Sequence, residues 1–177
     1  MVKTNIAFQY VMYYVAWIVG LGLAAKNHGF YSALFFFFLC AIQIAWQYKL
    51  MHRTHGLWVM IFIFSTLGFI VDSVFQLTGI INFKANVFIY LSPPWMLGIW
   101  ANFAIAFYST CTVFFNRYKL MSILVFIFLP IAYIIGEKIG ACEFPYGYTS
   151  TIIIGAVWAI LFPWCLLAFN RYIAKTK

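Results

Sequence analysis

The sequence predicts an all-α protein, a polytopic transmembrane bundle of about six crossings with both termini on the cytoplasmic side. Three observations predict it: a shortage of charge, apolar runs of membrane-spanning length, and lysines and arginines gathered on one side of those runs. Charged residues make up 8% of the 177 residues, hydrophobic residues 66% and aromatics 23%. A soluble domain carries about 25% charge because its surface must face water. With a third of that share, most of this surface must face lipid. The length fits a single integral membrane domain over residues 1–177.

A bilayer core about 30 Å thick takes about 20 apolar residues per helical crossing. On that scale the first crossing runs from Asn5 to Ala25 and ends at Lys26-Asn27-His28-Gly29. Its apolar run exceeds the 7–15 residues of a signal-peptide core, so an uncleaved crossing is expected. The second runs from Phe30 to Tyr48, before the basic break Lys49 to Gly56, and the third from Leu57 to Ile81. Between Asn82 and Pro93, the stretch Val87-Phe88-Ile89-Tyr90-Leu91 is too short to span and reads as an interfacial or re-entrant piece. The fourth crossing is Pro94 to Phe115, the fifth Leu120 to Ile139 and the sixth Thr149 to Asn170.

Orientation follows from the basic residues. With the N-terminus inside, Lys3, Lys49, Arg53, Arg117, Lys119, Arg171, Lys175 and Lys177 are cytoplasmic, and only Lys26, Lys84 and Lys138 lie opposite. That asymmetry predicts both termini inside. The net charge of +8 is spread singly or in pairs between apolar runs. It suits lipid phosphates and forms no nucleic-acid-binding face.

Each crossing carries a stripe of small or polar residues at helical spacing, the usual mark of helix packing. The stripes are Gln9, Tyr13, Ala16 and Gly20; Ser32, Cys40, Gln43 and Gln47; Ser65, Gly68, Asp72 and Gln76; Gly98, Asn102, Ala106, Ser109, Thr112 and Asn116; and Thr151, Gly155 and Ala159. In the fifth crossing, Ala132, Gly136 and Gly140 form a small face expected to admit another helix closely. The Phe35–Phe38 run reads as lipid-facing bulk, and Trp17, Trp46, Trp58, Trp95 and Trp164 include interface anchors. Pro130 and Pro163 free the carbonyls of Phe126 and Ala159.

Charge inside the bilayer is the exception to this bland pattern. Asp72 lies about 15 residues into its helix, ~22 Å from the cytoplasmic end. A mid-helix aspartate costs about 2.5–3.5 kcal/mol to insert, so a partner, a proton or water must meet it. Lys138 and Lys84 are the available cations. Asn102, counted from the other surface, falls at a similar depth, and Glu137 and Lys138 close the fifth helix. Asp72, Gln76, Asn102 and Glu137 are therefore expected to share a polar chamber toward the outer leaflet, as a ligand pocket or as a buried structural pair.

Recognisable catalytic chemistry is missing. No H-E-x-x-H, Walker loop, G-x-G-x-x-G or G-x-S-x-G occurs, and the sequence calls for no cofactor or metal. His52 and His55 form an H-x-x-H pair in a basic loop with no acidic residue, which suits headgroup contact better than a metal. Cys40, Cys111, Cys142 and Cys165 have no metal spacing, and no disulfide is expected. A three-plus-three inverted repeat would signal a transporter, but all five prolines fall in the second half and no internal match stands out.

One combination of residues is distinctive. Val71-Asp72-Ser73, Gly79, Pro94-Trp95-Met96-Leu97, Trp100-Ala101-Asn102-Phe103, Pro130-Ile131-Ala132-Tyr133, Gly136 and Gly140-Ala141 occur in that order. The chain resembles a domain-of-unknown-function family of small polytopic bacterial inner-membrane proteins, often encoded near lipid-modification genes. The resemblance implies a multi-pass inner-membrane bundle and brings Asp72, Pro94, Trp95, Trp100, Pro130 and Tyr133 forward as motif positions. It supplies no catalytic residues.

The leading expectation is a lipid-binding or lipid-modification accessory protein whose ligand site draws on Asp72, Gln76, Trp95, Asn102, Tyr133, Glu137 and Lys138. Membrane lipids would be its partners, together with membrane proteins or further copies of itself. Two alternatives stay open: a small proton-coupled transporter titrating at Asp72, and a membrane-embedded lipid-modifying enzyme using Asp72 or Glu137.

Overall fold

The computed structural model describes residues 2–51 and 54–176. His52, half of the H-x-x-H pair, and the basic residues Arg53 and Lys177 lie outside the described residues. Six α-helices form: α1 (Val2–Ala25), α2 (Gly29–Trp46), α3 (Leu57–Leu77), α4 (Pro94–Tyr108), α5 (Tyr118–Ile139) and α6 (Tyr148–Lys175). A π-helical turn, Gln47–Met51, extends α2, and a 3₁₀ turn, Cys111–Phe114, follows α4. Two two-residue strands, β1 (Asn82–Phe83) and β2 (Cys142–Glu143), pair in antiparallel fashion.

Five of the helices are long and apolar enough to cross a bilayer. The fourth is different. It was expected to reach Phe115 but ends at Tyr108, and its 15 residues span ~22 Å, short of a ~30 Å core. Pro93 and Pro94 fix its start, where a missing N–H costs nothing. Eleven of its fifteen residues are buried, and it packs on α1, α2 and α3. A helix jacketed by its neighbours need not match the lipid thickness. Outside this jacket, Ile18, Phe38, Phe62, Phe128 and Trp164 are exposed, as lipid-facing residues should be.

Two aromatic side chains are packed differently from what their place in the sequence suggests. Phe36 is not lipid-facing bulk but 1% exposed. It fills the space beside Gly20 and Gly98: a Cβ on Gly20 would strike its ring atoms, and one on Gly98 would strike its Cβ. Trp95, among the expected interface anchors, is buried as well. Trp58 and Trp164 are the exposed ones.

The proline inside α5, Pro130, has a specific partner. A Cβ on Gly155 of α6 would meet Pro130 Cγ at 2.9 Å and Phe126 O at 3.0 Å. The carbonyl that Pro130 leaves without its helical donor thus lies against the glycine of α6, where any side chain would collide with it. By contrast, Ala132 and Gly136 do not admit another helix. A Cβ on Gly136 would meet only Cys142 Sγ, at 3.7 Å, and both residues line a cavity.

The ends of α3 and α5 reveal a repeat that the sequence does not advertise. Gly79 and Gly140, both at positive φ (70° and 93°), end the two helices in the same way. Gly79 N–H bonds Gln76 O and Ile80 N–H bonds Phe75 O; Gly140 N–H bonds Glu137 O and Ala141 N–H bonds Gly136 O. Gln76 Oε1 then accepts the Phe83 N–H at 2.9 Å, seven residues on. Glu137 Oε1 accepts the Phe144 N–H at 3.1 Å, also seven residues on. Equivalent positions lie 61 residues apart, and the β1–β2 pairing sets Asn82 opposite its counterpart Glu143. The expected third segment therefore stops at Leu77, because the four residues to Ile81 form this turn. The following stretch, Val87 to Leu91, is irregular and exposed, held by Asn86, which bonds Leu91 O and Phe88 N–H.

Candidate functional site

Asp72 is fully buried and sits where α3, α4 and α5 meet. One turn before it, Gly68 has no side chain, and the Trp100 ring of α4 occupies the space a Cβ would take. That close approach lets Trp100 Nε1 donate to Asp72 Oδ2 at 2.8 Å. The other oxygen, Oδ1, accepts from Tyr133 Oη of α5 at 2.5 Å. Asp72 and Tyr133 occupy equivalent positions in the repeat, so the bond joins α3 to α5 across their local symmetry. Trp100 also packs on Trp158 of α6, with ring centroids 4.5 Å apart. Trp158 Nε1 lies near the Tyr133 hydroxyl without completing a hydrogen bond.

The expected lysine partners are elsewhere. Lys84 Nζ pairs with Glu143 Oε1 at 2.6 Å beside the β-strands, both side chains well exposed. Lys138 is exposed near the end of α5. A buried carboxyl group in an apolar bundle is thus met by two hydrogen-bond donors on aromatic rings, not by an ion pair.

On the far side of those rings lies an apolar cavity of about 80 Å³ between α1, α4 and α5. Its walls include Tyr13, Trp17, Trp95, Trp100, Phe103 and Tyr133, with the small residues Ala132, Gly136 and Ala141 giving it room. Phe83 and Cys142, paired across β1 and β2, border it at the turn end. Trp95 is held there by a 3.2 Å bond from its Nε1 to Lys84 O. Burial, ahead of the nearby carboxyl groups, pushes the Cys142 thiol up to about 12, so it is no thiolate nucleophile. Among the described residues no cluster of histidine, cysteine and carboxylate side chains could hold a metal.

Of the sequence-derived site residues, the structure brings Asp72, Tyr133 and Trp95 to this region. Gln76 and Glu137 brace the two turns instead, one on each side of the strand pair. Asn102 belongs to a different network: its Nδ2 donates to Gln43 Oε1 at 2.7 Å. Gln43 and Gln9 donate to each other's backbone carbonyls at 3.1 and 3.3 Å. No single chamber gathers Asp72, Gln76, Asn102 and Glu137, because Asn102 faces α2 while Trp100, two residues earlier, faces α3. Gly68 and Trp100 both stand out in the sequence, but the linear chain does not show that one seats the other against Asp72. A small residue one turn before a buried acid was the available signal.

A family comparison bears on this arrangement. The family described as Protein of unknown function (DUF2878) matches residues 6–164. The chain belongs to that family. The match begins in α1 and ends at Trp164 in α6, so the Asp72 cluster and the apolar cavity lie wholly inside the family domain. The family's description assigns no activity, and the resemblance drawn from the sequence is sound at that level. No curated protein and no solved structure matches the chain.

Proposed function

We propose that this protein is a non-catalytic membrane protein that receives the apolar chain of a lipid between α1, α4 and α5. The observation that carries the reading is the aromatic-lined cavity, walled by Trp17, Trp95, Trp100 and Tyr133 and widened by Ala132 and Gly136. Helices α1 and α5 touch only sparingly beside it, whereas α5 and α6 pack closely. A chain entering from the bilayer would need to part only that weak seam. Binding sites of this kind are mostly apolar, with few polar groups at fixed places.

Asp72 serves this reading as a brace. Both its oxygens are engaged by Trp100 and Tyr133, so it fixes two walls of the cavity without facing the ligand. A role as accessory to lipid modification follows from the resemblance to bacterial inner-membrane proteins encoded near such genes. Location in a bacterial inner membrane with both termini cytoplasmic follows from the same resemblance and from the basic-residue asymmetry.

The test is mass spectrometry of lipids that co-purify with the protein in mild detergent, for wild type and Gly136→Leu. The longer side chain fills the cavity where a Cβ meets only Cys142 Sγ. A species enriched on wild type and lost in the variant is the expected result. Identical profiles, with only bulk phospholipid on both, would count against the reading.

A further inference from the structure

A second cavity, of about 410 Å³, opens at the end of the bundle that carries both termini. Asn5, Gln47, His55, Ser109, Thr112 and Phe169 are among its lining residues. Asn5 is 4% exposed and Gln47 0%. Each amide donates to the Ser109 hydroxyl oxygen, at 3.2 and 3.1 Å. Their carbonyl oxygens, Asn5 Oδ1 and Gln47 Oε1, are buried without a hydrogen-bond partner. One turn deeper, Gln9 Oε1 and Asn102 Oδ1 are in the same condition. Buried acceptors in a native protein are nearly always matched by a donor, and four at one seam are a pattern. Asn5 and Gln47 both stand in the cavity wall, and the terminal torsions of Asn and Gln are soft, so reorienting the two outer amides toward a ligand needs no helix to move.

Charge decides which donor suits the place. None of the chain's three carboxylates lines this cavity, so a cationic ligand would find no counter-ion. The exposed bases Lys3, Lys49, Arg117, Lys119, Arg171 and Lys175 are carried at the same end of the bundle. They repel cations and attract phosphate. Phe115, Phe169 and Ile173 add an apolar wall. A fitting ligand therefore combines hydroxyl donors, a negative charge and a short carbon backbone.

We propose that this cavity binds a glycerol-phosphate group, its hydroxyls donating to Asn5 and Gln47 and its phosphate turned toward the bases carried at that end of the bundle. The group has two sources, the head of a phosphatidylglycerol-type lipid or free glycerol phosphate. The site is separate from the apolar cavity of the proposed function and stands without it.

Two measurements on the full chain test the proposal. Native mass spectrometry from phosphatidylcholine nanodiscs doped with phosphatidylglycerol reads the lipid source. Calorimetric titration of sn-glycerol 3-phosphate into undoped nanodiscs reads the free one. Retention of phosphatidylglycerol over phosphatidylcholine, weakened about tenfold in Gln47→Leu, a change on the scale of one hydrogen bond, supports the lipid source. Saturable binding of free glycerol phosphate, weakened alike, supports the soluble one. Thr112→Trp, at an exposed lining residue away from the buried amides, guards against misfolding and is expected to block either ligand. Failure to bind both probes, equal binding by wild type and both variants, or inorganic phosphate binding as tightly as glycerol phosphate overturns it.

Discussion

Removing the Tyr133 hydroxyl isolates the bond that ties α5 to α3. Tyr133→Phe keeps the ring on the wall of the apolar cavity and deletes only the donor 2.5 Å from Asp72 Oδ1. Asp72 is fully buried, so no water replaces the lost donor. Hydrogen bonds between membrane helices average about 0.6 kcal/mol and reach about 1.7, whereas stranding a buried polar partner costs about 1–3 kcal/mol. The short distance and full burial place Tyr133→Phe in the upper range, at about 1–3 kcal/mol of destabilisation. Reversible unfolding in mixed micelles, followed by circular dichroism against the mole fraction of denaturing detergent, measures it. In an Asp72→Leu background the acceptor is gone, and the same substitution should cost little, since it then removes an orphaned hydroxyl. The coupling energy from that cycle should exceed about 1 kcal/mol. A coupling below about 0.5 kcal/mol, the usual additivity error for independent sites, would refute the role of Asp72 as a brace between helices.

Two more predictions address the fold and its orientation. Gly155→Leu should destabilise the α5–α6 pair by more than about 1–3 kcal/mol, the ordinary cost of overpacking. Pro130 and the Phe126 carbonyl stand in its way and neither is a flexible side-chain end; unchanged unfolding in the same detergent titration would disprove that contact. A reporter active only in the cytoplasm should be active when fused after residue 176 and inactive when inserted at Tyr146, an exposed residue between β2 and α6. The reverse pattern would overturn the proposed topology.

The aromatic interior explains how so short a helix as α4 is held. Phe103 stacks on Phe107 at 5.5 Å, and both meet Phe162 of α6 edge-on at 5.8 and 5.4 Å. Phe64 of α3 closes the cluster, 4.8 Å from Phe162. In lipid, burial gives helices no hydrophobic gain over exposure, so contact of this kind must supply the cohesion. Phe36 is part of the same logic: Gly20 and Gly98 admit it between α1 and α4.

What the sequence determined by itself is what the bilayer dictates. Apolar runs long enough to span, a deficit of charge and basic residues at alternate breaks are conditions set by the solvent, and each residue meets them independently of its neighbours in space. Hence α1, α2, α3, α5 and α6 were legible, as was the status of Asp72 as an exceptional residue. Tertiary structure alone decided which residue faces which. One turn of α3 sets the Gly68 gap beside Asp72, and only the placement of α4 against it turns Trp100 into a hydrogen-bond donor. The same holds for Phe36, whose position in a run of four phenylalanines says nothing of two glycines on other helices. The repeat of the α3 and α5 turns escaped the sequence because it rests on backbone geometry. Across its turn, Gly79 and Gly140, and Phe83 and Phe144, are the residues kept, while Asp72 faces a tyrosine and Gln76 matches a glutamate. Solvent fixes the helices that span the bilayer; contacts between distant residues fix the short α4 and the cavities.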